Sequence, residues 1–256
     1  MTNRRIFIGD VHGHYDPLVT LLNEIAPGKD DNVYFLGDLI DRGPKSAEVV
    51  ELVIKNKYHC LRGNHEDMLL DVVGNGQEMS MEGFQAWLYS GGYATITSYG
   101  NSIPQSHVDW MRSLPYYLDL DDIWLVHAGV NPNMPLEAQT SDQFCWIRDD
   151  FHSSEQPYFK DKLIVTGHTI TFTIPGVEPG YLASGAGWLD IETGAYHPNS
   201  GWLTAVDMTN ELVYQVNTHE GTLRTIPLAE ATVKIDPAKV ALKRAQRKMR
   251  PTRANK

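Results

Sequence analysis

The stretch RIFIGDVHGHYD, residues 5–16, joins a short apolar segment to a cluster of glycines, carboxylates and histidines. Side chains two residues apart share one face of a strand, so Asp10 and His12 can point together beyond the strand end. Considered alone, this pair could face a metal ion, a substrate proton or only water. The stretch predicts a buried strand that delivers polar groups directly at its carboxyl end.

Apolar segments and helical patterns alternate over the first seventy residues. Strand-like segments recur at residues 4–8, 33–36 and 58–61. Asp16 followed by Pro17 is typical of an N-cap and first helical position, Pro44 marks the start of a second helix, and a third is expected from Glu66 to residue 73. This βαβαβ pattern predicts an α/β protein with a mainly parallel sheet.

The rest of the chain predicts an insert followed by more strands. Residues 74–105 are rich in Gly, Ser and Tyr and predict a loop-and-helix insert. Residues 116–126, with a turn at Asp121 and Asp122, predict a β-hairpin. Further strands are expected at residues 162–166, 187–191 and 202–207. No domain linker is recognisable before about residue 230.

Charge is unevenly distributed along the chain. The 256 residues carry a formal net charge of −10, yet residues 237–256 contain eight Lys or Arg and no acid, so residues 1–236 carry −18. Such an acidic body should repel nucleic acid, so no nucleic-acid partner is expected. The basic tail, residues 237–256, is expected to be a disordered segment or a short helix. It is either a solvated terminus or an arm that docks an anionic partner.

The cysteine content and the hydropathy pattern point to the cytoplasm. Cys60 and Cys145 both lie in apolar stretches, which favours burial over a disulfide. Neither begins the C-x5-R phosphate loop of cysteine-dependent phosphatases. No apolar run reaches the roughly 18 residues needed to span a bilayer, and the first residues lack the apolar segment of a signal peptide. We therefore expect no membrane association.

Polar clusters follow five of the predicted strands. They occupy residues 9–13, 37–43, 62–66, 126–129 and 166–169. Because the carboxyl ends of parallel strands form the ligand crevice of open α/β sheets, these clusters should deliver their side chains to one place. Histidine, carboxylate and amide groups together suit a divalent ion such as Mn, Fe or Zn.

The ordered motifs GDVHG, GDLIDRG, RGNHE, HAG and GHT resemble the signature of the calcineurin-like metallophosphoesterases. Within them the chain resembles the phosphoprotein phosphatase family, and in particular the bacterial and bacteriophage lambda-type protein phosphatases. The resemblance runs from residue 5 to about residue 207. It implies a four-layer α-β-β-α sandwich, with two mixed sheets flanked by helices, as a catalytic domain over residues 1–236.

The resemblance also implies a site for two divalent metal ions, with manganese expected and iron or zinc as alternatives. Asp10 and His12 would bind the first ion, and Asp38 would bridge both. The second ion would be completed by Asn64, His127 and His168. In this scheme a hydroxide bound by both ions attacks the phosphorus in line with the leaving group.

Four further residues receive roles from the same resemblance. His65 would be the general acid that protonates the leaving group, and Asp41 would orient it. Arg42 and Arg148 would bind the phosphoryl oxygens. For Asp41 an N-cap or loop hydrogen bond is an alternative, and for Arg148 a surface ion pair with its acidic neighbours.

Other polar residues are expected to be structural. Arg62 is expected to form a loop salt bridge. Histidines outside the motifs are expected to be solvated or satisfied in the core: His14, His59, His107, His152, His197 and His219. The insert should influence substrate choice, although its aromatic residues could equally pack in the core: Trp87, Tyr89, Tyr93 and Tyr99.

The resemblance implies a protein serine/threonine phosphatase, with phosphotyrosine as a further substrate, acting as a monomer on phosphoproteins or phosphopeptides. A second interpretation is a symmetrical diadenosine tetraphosphate hydrolase or a related nucleotide or polyphosphate phosphohydrolase. Those diadenosine hydrolases typically have Ala-Arg-Gly and Gly-Asn-His-Asp, where this chain has Asp41 and Glu66. A third is a non-catalytic docking module, which predicts a missing ligand, and none is missing.

Overall fold

The structure is a computed structural model that describes residues 3–74, 80–100 and 102–249. Within these residues lie twelve strands: β1 (Arg5–Ile8), β2 (Asn32–Phe35), β3 (His59–Cys60), β4 (Tyr117–Asp119), β5 (Ile123–Val126), β6 (Leu163–Thr166), β7 (Leu182–Gly185), β8 (Trp188–Asp190), β9 (Trp202–Asp207), β10 (Leu212–Asn217), β11 (Leu223–Pro227) and β12 (Thr232–Lys234).

The same described residues contain ten α-helices: α1 (Tyr15–Ile25), α2 (Ser46–Asn56), α3 (Asn64–Val73), α4 (Met81–Trp87), α5 (Tyr93–Ser98), α6 (Gln105–Ser113), α7 (Ser141–Trp146), α8 (Asp149–His152), α9 (Leu228–Ala231) and α10 (Pro237–Met249). A π-helical turn, Leu88–Gly92, joins α4 to α5, and short 3-10 turns occur at Leu136–Ala138 and Thr171–Thr173.

The strands form two six-stranded sheets within the described residues. The first has the order β11-β10-β9-β1-β2-β3, and the second has the order β12-β7-β8-β6-β5-β4. In the first sheet β1 runs parallel to β2 and antiparallel to β9, so Phe7 pairs with Tyr34 on one side and Val206 on the other. The expected parallel arrangement therefore holds for β1, β2 and β3, but both sheets are mixed.

The mixed sheets arise where the chain turns back through short hairpins. Strands β9, β10 and β11 follow one another as antiparallel neighbours, and β7 pairs antiparallel with β8. Four strands of the two sheets, β7, β10, β11 and β12, are not expected from the sequence. Adjacent antiparallel strands need only a short turn, whereas parallel neighbours need a crossover.

Alternating side chains along β5 show how the layers pack. Ile123 and Leu125 face the first sheet in an apolar core between the two sheets, while Trp124 and Val126 pack under α7 and α8. A third apolar core lies between the first sheet and α1, α2 and α3. The architecture is thus the expected α/β four-layer α-β-β-α sandwich, with two mixed sheets flanked by helices.

Three helix starts differ from expectation, and the second helix, expected from Pro44, begins at Ser46 with Lys45 as its N-cap. Asp16 was expected to cap α1, but the helix begins at Tyr15 with His14 as its N-cap. Asp16 lies instead in the first turn, where a carboxylate is favourable next to the positive end of the helix dipole. The third helix begins two residues earlier than expected, so that Asn64 and His65 occupy its first turn.

The basic C-terminal region begins as helix α10, which packs against the outer face of the second sheet. Val240 is buried in the same core as Trp124, and Arg244 forms an ion pair with Asp150. Part of the positive charge of this region is therefore compensated by the body of the protein. Residues 250–256 of the predicted tail lie outside the described residues.

No helix in the described part of the chain combines the length and apolar character that crossing a membrane requires.

Gly13 allows the loops after β1 and β2 to contact each other. Its φ is +67°, and a Cβ at this position would lie 2.6 Å from the carbonyl oxygen of Gly43. Gly221 has a similar φ of +71°, but no atom lies within 4 Å of its Cβ position. A side chain at Gly221 would therefore meet backbone strain alone, whereas a side chain at Gly13 would meet both backbone strain and steric overlap.

We predict that Gly13→Ala destabilises the protein more than Gly221→Ala. Left-handed backbone strain alone should cost about 1–2 kcal/mol at Gly221, whereas overpacking at Gly13 should add a further ~1–3 kcal/mol. The free energies of unfolding in urea measure both costs. Equal losses in the two variants would show that the close approach of Gly13 to Gly43 is unimportant.

Candidate metal centre and active site

The polar loops of both sheets meet at one edge of the sandwich, at the carboxyl ends of the central strands. They contribute seven side chains of residues that are at most 5% exposed: Asp10, His12, Asp38, Asn64, His65, His127 and His168. Several of these side chains line a cavity of about 350 Å³. The fold therefore brings together all six residues predicted as metal ligands, together with His65.

One group of ligand atoms has the spacing expected around a single ion. The Asn64 Oδ1 atom lies 3.0 Å from Nε2 of His127 and 2.8 Å from Nδ1 of His168. The His127 Nε2 atom also lies 3.4 Å from Oδ1 of Asp38. Ligand atoms bound to one ion at about 2.0–2.2 Å are separated by roughly 3 Å, so these four side chains could share an ion.

A second group surrounds the other carboxylate oxygen of Asp38 and is more widely spaced. The His12 Nε2 atom lies 3.9 Å from Oδ2 of Asp10 and 3.7 Å from Oδ2 of Asp38. The His65 Nε2 atom also lies 3.9 Å from this oxygen of Asp38. Asp38 thus faces both groups, and the bridging role that the resemblance implies for it stays a prediction.

The hydrogen bonds of the histidines test whether these groups fit a cation. His127 Nδ1 donates to the carbonyl of Leu36 at 2.7 Å, and His12 Nδ1 donates to that of Ile40 at 2.9 Å. Each ring therefore directs its Nε2 lone pair at carboxylate or amide oxygens, which are also acceptors. A proton or a cation must lie between them, and this is the arrangement common to metal-binding histidines.

The types of donor atom also fit a metal ion. In the first group the His168 donor is Nδ1, 2.8 Å from Asn64 Oδ1, while its buried Nε2, on the other side of the ring, has no hydrogen-bond partner among the described residues. Mixed nitrogen and oxygen donors suit borderline divalent ions such as Mn, Fe or Zn. The residues present could therefore hold two divalent ions.

Burial and mutual charge shift the pKa values of these groups. Burial raises the pKa of Asp10 to about 7. Burial also disfavours the charged form of His127, but Asp38 and Asp10 outweigh this effect and raise its pKa to about 9. Without metal, a proton on His127 compensates the buried carboxylates. Metal binding should displace this proton, because a ligating imidazole nitrogen must be free of it.

The backbone is strained at the residues that carry the site. Within the described chain, five of them have positive φ values between +46° and +72°: His12, Asp38, Asp41, Arg42 and His168. Non-glycine residues in this region persist only where the surrounding structure holds them, and they concentrate at functional sites.

His65 and Asp41 form a short hydrogen-bonded pair beside the metal-ligand groups. The His65 Nδ1 atom lies 2.6 Å from Oδ2 of Asp41, and both side chains are buried. Asp41 caps no helix, since the N-cap of α2 is Lys45. The pair leaves Nε2 of His65 on the cavity side, 3.0 Å from Nη2 of Arg42.

Both predicted phosphate-binding arginines line the cavity. The guanidinium of Arg42 lies over the ring of Tyr196, with 3.7 Å between its Cζ and the ring centroid. Arg148 donates to the carbonyl of His168 at 3.2 Å. Asp150, one of the acidic neighbours considered as a partner for Arg148, pairs with Arg244 instead.

Three residues around the site were missed by sequence reasoning. The Glu66 carboxylate accepts backbone N–H bonds from Asp38 at 2.9 Å and Leu39 at 2.8 Å, and the Glu192 carboxylate accepts one from Asp10 at 3.2 Å. Tyr196 supports Arg42. Sequence position could have indicated the two glutamates, because Glu66 directly follows the RGNH motif and Glu192 follows a buried strand.

The remaining histidines lie outside the two ligand groups. His152 is buried and pairs with Asp190 at 3.1 Å, and His197 lines the cavity. Other expected structural contacts are also present. Arg62 forms a salt bridge with Asp67 at 3.4 Å. The two cysteines, Cys60 and Cys145, are buried and unpaired.

Of the four aromatic residues of the insert considered above, two have contacts within the protein and two are largely exposed to solvent. Trp87 is buried, and Tyr99 forms a hydrogen bond with His107 at 3.0 Å. Tyr89 and Tyr93 are 96% and 72% exposed. Residues 75–79 and 101 of the insert lie outside the described residues.

Two relatives with assigned activities are similar to this chain in sequence. The symmetrical bis(5'-nucleosyl)-tetraphosphatase of Vibrio cholerae is 30% identical over 133 residues, covering 50% of this chain and 45% of that protein. A Caenorhabditis elegans protein assigned as a serine/threonine-protein phosphatase is 40% identical over 67 residues, covering 24% of this chain and 15% of the relative. These alignments span less than half of the length of the relatives.

A solved structure assigned as a diadenosine tetraphosphatase shares the fold. It superimposes with a TM-score of 0.61 at 20% identity and covers 89% of this chain and 94% of its own. The family model described as calcineurin-like phosphoesterase matches residues 4–195, which include all the predicted metal ligands. This match covers most of the chain, and the protein belongs to the calcineurin-like phosphoesterase family.

Proposed function

We propose that this protein is a metal-dependent phosphomonoesterase that removes phosphate from phosphoserine and phosphothreonine in proteins, and from phosphotyrosine as a further substrate. The observation that carries the proposal is the 2.6 Å contact between His65 and Asp41 beside the metal-ligand groups. A monoester with an alkoxide leaving group needs a proton donor, and a histidine held by a carboxylate is suited to this role.

The proposed metal ions are two manganese ions, with iron or zinc as alternatives. Asp10, His12 and Asp38 would hold the first ion. The second would be held by Asp38, Asn64, His127 and His168. When bound, two such ions supply a water of lowered pKa and stabilise negative charge on the phosphoryl group.

The chain's own residues provide the remaining functions. Arg42 and Arg148 bind the phosphoryl oxygens from the cavity wall. As the bond between phosphorus and the leaving oxygen breaks, its electron pair remains on that oxygen, which takes the proton from His65 Nε2. The attacking water supplies the oxygen that replaces it, and the products are an alcohol and inorganic phosphate.

A symmetrical diadenosine tetraphosphate hydrolase is the second candidate. Its support is the 30% identity with the Vibrio cholerae enzyme over half of this chain. The presence of Asp41 favours the phosphatase, because the Ala-Arg-Gly pattern typical of the diadenosine hydrolases has no carboxylate at the position that contacts His65. Glu66 favours it also, since that branch typically has aspartate there.

A substrate comparison tests these two candidates. We expect the manganese-loaded protein to hydrolyse phosphoserine and phosphothreonine peptides with a kcat/KM at least about tenfold higher than that for diadenosine tetraphosphate, which corresponds to about 1.4 kcal/mol of transition-state discrimination. Phosphate release from peptides and nucleotide products from the dinucleotide are measured in parallel. The reverse order would support the second candidate, and no hydrolysis of either would contradict both.

We predict that His65→Asn lowers kcat by roughly 10²- to 10⁴-fold with little loss of metal, because the proposed role of His65 is proton transfer. Metal content measured by atomic emission after gel filtration, beside phosphatase assays, checks both parts. Loss of both ions in this variant would contradict the assignment and identify His65 as a ligand.

Asp38→Asn, unlike His65→Asn, should weaken metal binding, because Asp38 faces both ligand groups. In the wild type, Mn²⁺ at a hundredfold excess over its Kd should add about 2.7 kcal/mol of stability. The variant should lose most of this stabilisation, measured as the shift in Tm on adding Mn²⁺. An unchanged shift would show that Asp38 does not bridge the ions.

A further inference from the structure

The insert between α3 and α6 contacts the carboxylate of Asp41 on both oxygens. Trp87, at the end of α4, donates its Nε1–H to Oδ2 at 2.9 Å, the same oxygen that His65 contacts. Thr95 of α5 donates its hydroxyl to Oδ1 at 2.6 Å. With His65, three side chains therefore converge on this carboxylate.

All of these groups are buried, which makes the contacts important. Asp41 and Thr95 are fully buried, and Trp87 is 2% exposed. A buried carboxylate needs donors for its lone pairs, and the indole N–H is a donor only. Because the indole ring is rigid, Trp87 fixes the direction in which Oδ2 can point.

The insert also holds the backbone of Asp41. The Asp41 N–H donates to the hydroxyl of Thr95 at 2.8 Å, and the next N–H, that of Arg42, donates to the carbonyl of Gly91 at 3.1 Å. These bonds lie where Asp41 has a strained φ of +72°. The insert thus restrains both the side chain and the backbone of this residue.

Close packing fixes the indole in turn. A Cβ on Gly92 would overlap Cε2 of the Trp87 ring, so only glycine fits beside it. Gly92 ends the π-helical turn Leu88–Gly92, whose Ser90 carbonyl also accepts a bond from Nε of Arg42 at 3.3 Å. The turn therefore packs against Trp87 and Arg42 together.

We propose that Trp87 and Thr95 are positioning residues for the general acid. They hold the Asp41 carboxylate in the orientation that directs Oδ2 at His65 Nδ1, and in this way the insert controls proton delivery to the leaving group. This inference rests on the proposed role of His65 and extends it to the insert, where sequence reasoning expected only substrate contacts or core packing.

A general acid matters most when the leaving group is a poor one. Departure of an alkoxide or a phenolate of high pKa requires the proton, whereas p-nitrophenolate leaves with little assistance. Loss of correct positioning should therefore lower kcat for phenyl phosphate and phosphoserine peptides more than kcat for p-nitrophenyl phosphate. A general loss of structure would lower all of them together.

The test uses Trp87→Phe, which keeps an aromatic ring but removes the N–H donor together with the pyrrole part of the indole, and Thr95→Val, which keeps the shape of the side chain but removes its hydroxyl. Trp188→Phe is the matched control, because Trp188 is 1% exposed and its Nε1 has no partner among the described residues. Loss of one bond to a buried charged group should lower kcat for phenyl phosphate by about tenfold to a hundredfold, while p-nitrophenyl phosphate changes by less than about twofold. The control should leave the ratio of the two unchanged.

A spectroscopic readout separates the inference from activity. The proton in the short His65–Asp41 bond should give a downfield NMR resonance, identified by its loss in His65→Asn. We expect this resonance to shift in Trp87→Phe and in Thr95→Val and to be unchanged in Trp188→Phe.

Three outcomes would overturn the inference. An equal decrease for both substrates, which leaves the kcat ratio unchanged, would indicate a structural role, and an unshifted resonance in both variants would exclude positioning. If the wild type hydrolyses no phosphomonoester, the proposed function itself is wrong and the positioning role with it. This last result is recognised from the wild type alone.

Discussion

The Asp38 carboxylate, buried where the two sheets meet, imposes the main constraint on this site. It lies 3.7 Å from His12 and 3.4 Å from His127, and it accepts the backbone N–H of His65 at 3.0 Å. A buried anion is stable only when donors or positive charge surround it. Loops from both sheets must therefore converge on Asp38, and the two ligand groups are the result of this convergence.

The convergence depends on further carboxylates that carry no proposed chemical role. Glu66 accepts N–H bonds from the Asp38 loop, and Glu192 accepts one from Asp10. Burial raises the pKa of Glu66 to about 7, so this support is itself costly to ionise. The three apolar cores stabilise the layers on which these loops stand, and this allows strained backbone and buried charge to persist at one edge.

The fold and the family do not by themselves identify the substrate. Relatives in sequence include a symmetrical bis(5'-nucleosyl)-tetraphosphatase and a protein assigned as a serine/threonine-protein phosphatase. One fold can carry different functions, which depend on the residues placed around the site. In this chain the proposed function rests on Asp41, which contacts His65 and the insert side chains Trp87 and Thr95. Through Asp41, the insert between α3 and α6 is thus linked to the proposed proton donor, His65.

The sequence by itself determined the βαβαβ core and the ligand types, because buried strands and their terminal motifs leave local patterns. From the family resemblance it also predicted the α-β-β-α layers and the six ligand residues that the fold brings together. Four strands, including β10, were not recognised, since hairpin pairing depends on contacts beyond the local pattern. Only the tertiary structure placed Glu66 behind Asp38 and Trp87 against Asp41. These contacts join residues 28 and 46 positions apart, and no local spacing encodes which distant side chain fills a buried acceptor.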